Sequence, residues 1–570
     1  MTSGPARGTR RGIRPVGDRA LLVECADLDD VLALHADLRA EPVPGQADLL
    51  AAASTVLVVV DHPESMGAAA AALTGREVAA GERAPGREVV VETVYDGADL
   101  DAVAALTGLS REGVVGAHTG QSWTAAFGGF APGFVYLAGE DRRLDAPRLD
   151  TPRTAVPAGS VAVGGPFSAV YPRRSPGGWR LIGRTAAVLW DLDREPPALV
   201  RPGDAVRFRA VRDVALLAGP SSALPAGPGP HGAPSSAGSP AVVPPGAPAR
   251  GEVVLRTVPA QASSTPSGGP LPALVVVDAG PQSLVQDLGR PGLLDLGVSA
   301  SGALDRGAAR RANRLVGNPR GAAVVEALLG GLRVRAVTDV VVAVTGAAGP
   351  VTRSSGAGAV EAPRDAPFRL AAGEELLVGA PVRGARSYLA VRGGIDVPAV
   401  LGSRSTDLLS GLGPAPLVRG QTLRVGAPPG EAVASRVDVP DLETGPEGGP
   451  VTVDVVPGPR ADWFTADVLE ALCGQVWSVG DDSNRVGLRL EGTPLRRTTS
   501  AELPSEGVVA GSVQVPSSGR PVVLLADHPV SGGYPVVGVV RDAHLDRLAQ
   551  LRPGDGLRFR VGPAPGLPSW

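Results

Sequence analysis

The chain has 570 residues, of which 44% are hydrophobic and 20% are charged, and it carries a formal net charge of −4. This length exceeds what one hydrophobic core supports and predicts roughly three or four domains of ~100–200 residues each. The composition is typical of a soluble globular protein, and the small negative charge gives no basic field that would attract nucleic acid or an anionic membrane surface.

Lysine is absent from the sequence, so every basic side chain other than histidine is arginine. This excludes a Walker A motif and a lysine Schiff base. It also means that any biotin would be carried by another protein, although a codon bias toward arginine is enough to explain the absence. The two cysteines, Cys25 and Cys473, form neither a disulfide framework nor a zinc pattern, which favours a reducing cytoplasm.

The chain begins with a basic tail, residues 1–16, that has no apolar core behind it and therefore does not resemble a signal peptide. Residues 17–90 predict a small α+β domain, with strands at 20–24 and 54–60 and a helix at 27–40, where apolar residues recur at helical spacing. The longest apolar runs are valine-rich and far shorter than the ~20 residues that span a bilayer, so they predict buried strands and no membrane partner.

The rest of the chain is predicted to be mainly β. After a helical stretch at 99–118, short strands separated by Gly/Pro turns complete a β-rich domain over residues 91–211. The further segments are a Pro/Gly/Ser-rich linker at 212–272, a second folded region at 273–430 with a helix at 306–318, a Glu/Gly/Pro-rich hinge at 431–449, and a third β-rich unit at 450–562.

Two nearly identical segments end the two halves of the chain: VRPGDAVRFRAV at 200–211 and LRPGDGLRFRVG at 551–562. A related ending, RGQTLRVG, occurs at 419–426. Each is a Pro/Gly turn followed by a strand, and repeated closing strands favour three related β-barrels. The predicted fold class is therefore mainly β, with multiple barrels and a small α+β unit at the N-terminus.

A first motif-dense block runs from His118 to Arg184 and contains GGFAPGFVYL, TPRTAVPAGSVAVGG and YPRRSPGGWRLIGRT. His118 is a candidate acid, base or ligand donor, with the alternative that it pairs with carbonyls at a helix C-terminus. Arg153 and Arg184 are candidates for holding a carboxylate or phosphate, with a structural ion pair as the alternative. Phe134 and Tyr171 are candidates for contacts with a bound substrate or ATP.

A second block opens with QSLVQDLGRPGLLDLGVSASGALD at 282–305, which places an amide, a carboxylate and a guanidinium within five residues. Ser301 precedes the predicted helix and is its candidate N-cap, where backbone N–H groups would receive an anion. Glu326, if buried, needs a partner, and Arg290 is one candidate. The binding candidates in this block are Gln286, Asp287, Arg290, Ser301, Asp305 and Asn313.

The second block closes with ELPSEGVVAGSVQVPSSGRPVVLLADHPVSGGYPVVG at 502–538. Here polar residues alternate with glycine on short strands, which predicts the rim of a pocket. Glu506 and His528 are candidates for general acid/base work, with the alternative that each is a satisfied surface or turn residue. The binding candidates in this unit are Asn484, Arg485, Gln514 and Tyr534. No metal site is predicted.

Together, the blocks resemble the two carboxyltransferase-type domains that occur as the B and C subunits of 5-oxoprolinase, as allophanate hydrolase subunits 1 and 2, and in urea carboxylase. The resemblance covers about residues 17–211 and 278–561 and rests on PGF.YL, TPR..VPAGSVA, YP..SPGGW.LIGRT, AN.LVGN, ELPSEGVV.GS.Q and GGYP. It implies cyclophilin-like barrels, with a B-type domain (carboxyltransferase C/D) in the first half and a C-type domain (carboxyltransferase A/B) in the second. The chain would then be a natural fusion of the two subunits, with its active site where the two halves meet.

The resemblance implies three alternative functions. In the first, the fused B and C components join a separate A-type subunit in an ATP- and Mg²⁺-dependent 5-oxoprolinase that opens 5-oxo-L-proline to L-glutamate. In the second, a carboxyltransferase accepts carboxyl from carboxybiotin on another protein and passes it to urea or a related amide. The third is a non-enzymatic binding module, like relatives that inhibit a sporulation histidine kinase. The lack of appended biotin carboxylase and carrier domains favours the first, and a homo-oligomer is compatible with each.

Overall fold

A computed structural model describes residues 11–76, 78, 86–149, 151, 153–212, 271–356, 358–434, 449–499, 501 and 503–563. Most of the predicted tail, hinge and linker lies outside these residues. We call residues 11–212 the N-half and residues 271–563 the C-half, and both belong to one compact unit. None of the helices in the described part of the chain is long and apolar enough to cross a membrane.

The N-terminal sheet is antiparallel with strand order β1-β2-β4-β3, and two helices pack on one of its faces. Its elements are β1 Ile13–Pro15, β2 Ala20–Glu24, α1 Leu28–Ala40, β3 Gln46–Ala51, β4 Thr55–Val60 and α2 Met66–Thr74. Alternate residues of a strand point to opposite faces. Leu21 and Val23 therefore contact the helices, while Ala20 and Leu22 contact the C-half. Burial on both faces explains the continuous apolar runs and confirms the predicted α+β unit.

The first barrel follows, with strand order β12-β9-β10-β7-β6-β13-β5. A bridge between Val94 and Arg184 links the two edges and nearly closes the barrel. Its elements are β5 Glu88–Thr93, α3 Leu100–Thr107, α4 Arg111–Thr119, β6 Trp123–Gly128, β7 Val135–Ala138, β8 Arg153–Val156, β9 Ser160–Gly164, β10 Phe167–Val170, β11 Ser175–Gly177, β12 Arg180–Arg184 and β13 Ala205–Ala210.

The region predicted as a barrel over 273–430 contains a six-stranded and a five-stranded sheet that share one apolar core. The helix predicted at 306–318 is present as α5. The elements are β14 Leu271–Ala279, β15 Gln282–Gln286, α5 Arg306–Leu315, β16 Val324–Leu328, β17 Leu332–Ala336, β18 Val340–Ala348, β19 Val351–Ser355, β20 Gly358–Glu361, β21 Pro367–Leu370, β22 Glu375–Val378, β23 Arg383–Val391 and β24 Thr422–Val425.

A closed barrel ends the C-half, with strand order β25-β32-β29-β30-β27-β26-β33. Its elements are β25 Val451–Pro457, α6 Val468–Cys473, β26 Trp477–Val479, β27 Gly487–Glu491, β28 Glu506–Gly507, β29 Ser512–Gln514, β30 Val522–Leu524, β31 Ser531–Gly532, β32 Val536–Val540, α7 Leu545–Leu548 and β33 Gly556–Val561. The predicted fold class, mainly β with multiple barrels, is confirmed.

The two barrels share a structural repeat. The closing strands β13 and β33 each run parallel to the first strand of their barrel and antiparallel to a neighbour. Trp123 and Trp477 each donate an indole N–H to a helical carbonyl at 2.9 Å. Both tryptophans end a Gly-Gln-X-Trp segment, which is a second echo beside the closing strands. The third ending, β24, pairs antiparallel with β14, so its resemblance is confined to the turn and strand.

Candidate functional site at the seam between the halves

The N-half and C-half share a hydrophobic core, and we call this contact region the seam. The outer face of the N-terminal sheet supplies Leu22, Leu50 and Leu57, which are all fully buried. They pack against Val456, Val508 and other residues of the closed barrel. A buried apolar side chain of this size stabilises by about 1.5–3 kcal/mol, so the core gives the seam a substantial hydrophobic contribution.

Polar contacts fix the alignment of the halves across the seam. His35 Nε2 lies 2.8 Å from Asp295 Oδ1. The Asp48 carboxylate accepts hydrogen bonds from the backbone N–H groups of Gly292 at 2.7 Å and Leu294 at 3.3 Å. Because these partners are more than 240 residues apart in sequence, the contacts depend on the folding of both halves.

A protease site introduced within 218–268 is expected to leave the two halves associated after cleavage. The shared core and the polar seam contacts do not depend on a covalent connection. Size-exclusion chromatography of the cleaved protein should give one peak that contains both fragments. Elution of two separate fragments under native conditions would contradict this description of the seam.

Close backbone packing gives a second test of the seam. A Cβ on Gly128, at the end of β6, would lie 2.4 Å from the backbone oxygen of Asp295 in the C-half. Gly128→Ala is therefore expected to destabilise the protein by about 1–3 kcal/mol, measured by thermal unfolding. Gly116→Ala is the matched control, since nothing lies within 4 Å of a Cβ there and α4 should gain up to about 1 kcal/mol. Equal effects of the two changes would refute the close approach.

Two cavities open along the seam. The larger one, the aromatic cleft, has a volume of about 500 Å³ and lies where the first block meets the last. Tyr136 and Phe167 form its apolar wall, Arg142 and Arg148 line its rim, and Ser505 belongs to the C-half. The hydroxyl groups of Tyr136 and Ser505 are 3.4 Å apart. The two motif blocks are thus adjacent in space although 369 positions separate these two residues in the sequence.

The smaller cavity, the charged cavity, has a volume of about 300 Å³. Its titratable lining residues are Asp18, Arg19 and Asp48 of the N-half, and Arg306, Arg310, His528 and Asp542 of the C-half. Arg306 and Arg310 lie one turn apart on α5 and therefore share a helix face. Burial lowers the pKa of Arg306 and raises the pKa of Asp48 to about 6, which is evidence of a desolvated site.

His528 is the predicted catalytic residue that lines the charged cavity. Its Nδ1 lies 2.7 Å from the carbonyl oxygen of Pro529, which can only accept a hydrogen bond. Nδ1 therefore carries the proton, and Nε2 keeps its lone pair. Burial lowers the pKa of His528 from its ordinary value of 6.5, so the ring is neutral at pH 7. A neutral imidazole with a lone pair on Nε2 is the form that a general base requires.

Glu506, the other acid/base candidate of the last block, belongs to an ion cluster that crosses the seam. Arg460 donates to Glu506 from Nε at 3.0 Å and also from Nη2. The same guanidinium donates from Nη1 to Glu24 of the N-half at 2.6 Å. Burial raises the pKa of Glu506, and Arg460 opposes this effect. The bonded geometry makes Glu506 a candidate for holding the halves together.

A second buried cluster is centred on Arg485. Its guanidinium donates to both oxygens of Asp527 at 2.9 Å, to Glu326 at 2.6 Å and to the carbonyl of Gly302 at 2.6 Å. Glu326 thus pairs with Arg485, and with Arg386 at 3.6 Å, and not with Arg290, which was one candidate partner. Arg485 lies 159 positions from Glu326, and no sequence pattern links the two.

The loop after β15 is organised by Asp287, whose Oδ1 accepts from the hydroxyl groups of Ser403 and Ser405 at 2.6 and 2.5 Å. Gln286 donates to the carbonyl of Thr406 at 2.8 Å. Ser301 does not cap α5, because the helix begins five residues later and Asp305 accepts from the N–H of Ala308 at 2.7 Å.

Ser301 instead donates to Asp527 at 2.6 Å. This bond and the Asp287 contacts hold the 287–301 loop, which lines the charged cavity with Leu288, Pro291, Leu294 and Ala300.

The candidates of the first block lie away from the two cavities or behind them. His118 is fully buried, with Tyr95 Oη 2.7 Å from Nδ1 and Ser168 Oγ 2.8 Å from Nε2, and burial lowers its pKa to about 3. Neither the predicted acid/base role nor the alternative of bonding to helix carbonyls agrees with these contacts. They favour a role in holding the first barrel together.

The two arginines of the first block form ion pairs, Arg153 with Asp99 at 2.7 Å and Arg184 with Asp96 at 2.8 Å. Phe134 and Tyr171 are buried with Tyr136 and Trp179 in an aromatic cluster behind the aromatic cleft. The first block therefore supplies the apolar wall of the aromatic cleft and two rim arginines, Arg142 and Arg148, but none of its predicted site residues lines the cleft.

The remaining candidates have local contacts. Asn313 donates to the carbonyl of Ala322 at 2.7 Å, and Asn484 accepts from the N–H of Val486 at 2.8 Å in a turn. Gln514 donates to the carbonyl of Tyr534 at 3.3 Å, while the Tyr534 side chain is half exposed. The structure does not bring these four side chains into either cavity.

Comparison with known proteins identifies both halves. Residues 11–200 match the carboxyltransferase domain, subdomains C and D, and residues 296–561 match the carboxyltransferase domain, subdomains A and B. The chain is 38% identical over 288 residues to the C subunit of 5-oxoprolinase from Escherichia coli K12, which covers 50% of this chain and 90% of that protein. It is 40% identical over 171 residues to the B subunit of 5-oxoprolinase from Escherichia coli O157:H7, which covers 29% of this chain and 78% of that protein.

The chain belongs to the carboxyltransferase-domain family that includes the B and C subunits of 5-oxoprolinase.

Other members of this family extend the comparison. Urea amidolyase of Lachancea kluyveri is 32% identical over 314 residues, which is 50% of this chain and 17% of that protein. The crystal structure of TTHA0988 superposes with a TM-score of 0.77 at 33% identity and covers 95% of this chain and 100% of that one. The two halves in a single chain thus also have a counterpart in a solved structure.

Several residues that lie at the seam of this chain were not predicted from the sequence. Arg306 and Arg310 carried a weak sequence signal, since two like charges at i and i+4 on one helix face repel each other and favour a nearby counter-charge or ligand. Arg460 lies in an ordinary Pro-Gly-Pro-Arg turn and gave no signal. Its role emerges only when Glu24 and Glu506 are brought together from the two halves.

Proposed function

We propose that this chain supplies the B and C components of an ATP-dependent 5-oxoprolinase, which opens 5-oxo-L-proline to L-glutamate together with a separate A-type subunit. One observation carries the proposal: counterparts of both components occur in one chain and share a core at the seam. The relatives are named as subunits, which supports the need for a partner. We further propose that the complex works in the cytoplasm.

The charged cavity suits the activation and hydrolysis of the lactam, which is the difficult part of this reaction. A lactam is a poor electrophile, and ATP would supply the phosphoryl group that activates its oxygen. Water then attacks the ring carbon, and the C–N bond breaks as the ring nitrogen takes up a proton. A second water releases phosphate from the resulting acyl phosphate to give L-glutamate. We propose that His528 Nε2 takes the proton from the attacking water, because the ring lines the cavity and this nitrogen keeps its lone pair. Arg306 and Arg310 would stabilise the negative charge on the transferred group.

Magnesium is expected with ATP. Within the described ranges, no group of three or more His, Cys, Asp or Glu side chains is placed to hold a metal ion, and we assign Mg²⁺ no ligand on this chain.

Carboxyl transfer from a biotin on another protein is the second candidate function. The observation that favours it is the similarity to urea amidolyase, which covers half of this chain. The sequence contains no lysine, so a carboxybiotin would have to arrive on a partner. Both reactions act on an amide group of low reactivity, so the same type of pocket would suit either reaction.

A pair of assays distinguishes the two functions. The chain and an A-type subunit are incubated with 5-oxo-L-proline and ATP, and glutamate is measured; in parallel, the chain alone is incubated with carboxybiotin and urea, and carboxylated urea is measured. Glutamate release that requires both proteins and ATP supports the first function. Carboxylated urea without glutamate release would establish the second instead.

A further inference from the structure

Two arginines from opposite halves contact one loop of the C-half, residues 403–413, which is buried at Ser405 and exposed at Gly411. Arg290 is only 2% exposed, and its Nη2 donates to the carbonyl of Ser405. Arg173, from the YPRRSP segment of the first block, contacts the other end of the loop: its Nη1 lies 3.4 Å from where a Cβ on Gly411 would stand. The two guanidinium groups thus contact opposite ends of the same loop, and Asp407 lies between these two positions in the sequence.

Both guanidinium groups are incompletely bonded. Among the described residues, Nε and Nη1 of Arg290 and Nε of Arg173 are buried and have no hydrogen-bond partner. Burial lowers the pKa of both side chains. Arg485 provides the contrast with Arg290, since both are 2% exposed but Arg485 donates from each of its three nitrogens. A buried guanidinium with unused donors is costly, so these donors are expected to have a ligand.

Asp407 is the acidic group with the largest effect on the pKa of both arginines, and it does not satisfy their unused donors. It raises the pKa of each guanidinium, but its oxygens accept from the hydroxyl of Ser299 at 3.3 Å and the N–H of Ser410 at 2.9 Å. Burial and the neighbouring Asp527 raise the pKa of Asp407 itself. Asp287 and Asp527 also raise the pKa of Arg290, but Asp287 accepts from Ser403 and Ser405 and Asp527 accepts from Arg485. The unused donors of Arg290 therefore remain without an acceptor among these carboxylates.

We propose that Arg173 and Arg290 together form a binding site for the carboxylate of a small organic acid. Planar guanidinium groups bind carboxylates through paired N–H donors, and two from opposite sides would hold one carboxylate in a fixed orientation. An oxyanion ligand follows from the two arginines alone, because guanidinium groups bind carboxylates and phosphates alike. Its identification as the carboxylate of 5-oxo-L-proline rests on the proposed function, in which this group must be held while the lactam reacts.

The position of the site fits this role. Leu288, Pro291 and Ala300 line the charged cavity, and the backbone N–H of Arg290 donates to Ala300 at 2.7 Å. The loop that carries Arg290 is therefore also a wall of the cavity that contains His528. The site is incomplete in either half alone, because Arg173 belongs to the N-half and Arg290 to the C-half.

Calorimetric titration of the full chain tests the site without ATP or an A-type subunit. The wild-type chain is expected to bind 5-oxo-L-proline at least ~10-fold more tightly than 2-pyrrolidinone, the same ring without its carboxylate. Arg290→Gln and Arg173→Gln should each weaken binding of 5-oxo-L-proline by roughly ten-fold or more. Asp407→Asn should tighten binding, because it removes a nearby negative charge and keeps an oxygen acceptor.

Matched controls separate binding from folding. Arg335→Gln removes an exposed arginine that pairs with Glu375 and should leave the affinity unchanged. Each variant is checked by thermal unfolding, and if Arg290→Gln does not fold, the opposite shifts of Arg173→Gln and Asp407→Asn carry the test. Affinities that equal the wild-type value in these variants would overturn the site.

Two further outcomes are informative. Binding of acetate but not of 5-oxo-L-proline, lost in Arg173→Gln, would support a carboxylate site and overturn its assigned ligand. No binding of either carboxylate would overturn the site itself. Because no turnover is involved, a failure of 5-oxoprolinase activity would leave the binding result unaffected.

Discussion

Replacing Arg485 with leucine is expected to lower the free energy of unfolding by about 3–5 kcal/mol, since the change leaves the buried Asp527 without its cation and Glu326 with only the longer ion pair to Arg386. Glu326 is 3% exposed and Asp527 is fully buried, and both accept hydrogen bonds from this one guanidinium. Glu326 lies on β16 and Asp527 in the closed barrel, so Arg485 joins the two parts of the C-half.

Calorimetric unfolding measures this effect. Arg335→Gln is the control, because the exposed pair that Arg335 forms with Glu375 should contribute no more than about 1 kcal/mol. A change of less than about 1 kcal/mol in Arg485→Leu would contradict the description of the cluster as a buried, desolvated network.

Replacing His528 with glutamine is expected to reduce the turnover of the complex by about 10²–10⁴-fold, the usual contribution of a general base. The fold should persist, because within the described part of the chain the imidazole bonds to the adjacent Pro529 carbonyl and to no distant element. His62→Gln is a suitable control, since this histidine is exposed and lies outside both cavities. Equal activity of the two variants would exclude His528 as the base.

The pH profile gives an independent check on His528. Burial lowers its pKa below the ordinary 6.5, and the neutral form is the active one. Activity should therefore persist as pH falls through 6.5 and decline only below the lowered pKa. The stability contribution has the same direction: unfolding exposes a ring that binds a proton more readily, so the native state loses stability as pH falls below about 6.5. A loss of activity centred above the ordinary pKa of 6.5 would argue against this assignment.

Periodic patterns predicted the fold well. The helices at 28–40 and 306–315 follow from apolar spacing, and the strands at 20–24 and 55–60 follow from short apolar runs. The Pro-Gly-Asp echo correctly indicated equivalent closing strands in two barrels. It could not distinguish a barrel from two facing sheets over 273–430, because the direction of pairing is set by partners that are distant in sequence.

The candidate site was harder to predict, since burial and long-range partners decide what a polar residue does. His118 has the residue type and motif context of a base, yet its ring lies inside a barrel with both nitrogens bonded. His528 had no stronger sequence signal, and a cavity formed by both halves sets it apart. Arg290 was singled out for its charge, but its unused donors became evident only in three dimensions.

The most direct test of the account is ATP-dependent glutamate release from 5-oxo-L-proline, measured with an A-type subunit and four preparations: the intact chain, the chain cleaved within 218–268, and each half alone. If the seam builds the site, the intact and cleaved proteins should be active, while either half alone should be inactive. Full activity from one half, or none from a well-folded intact chain with its partner, would contradict the claim that the two halves together form the active unit.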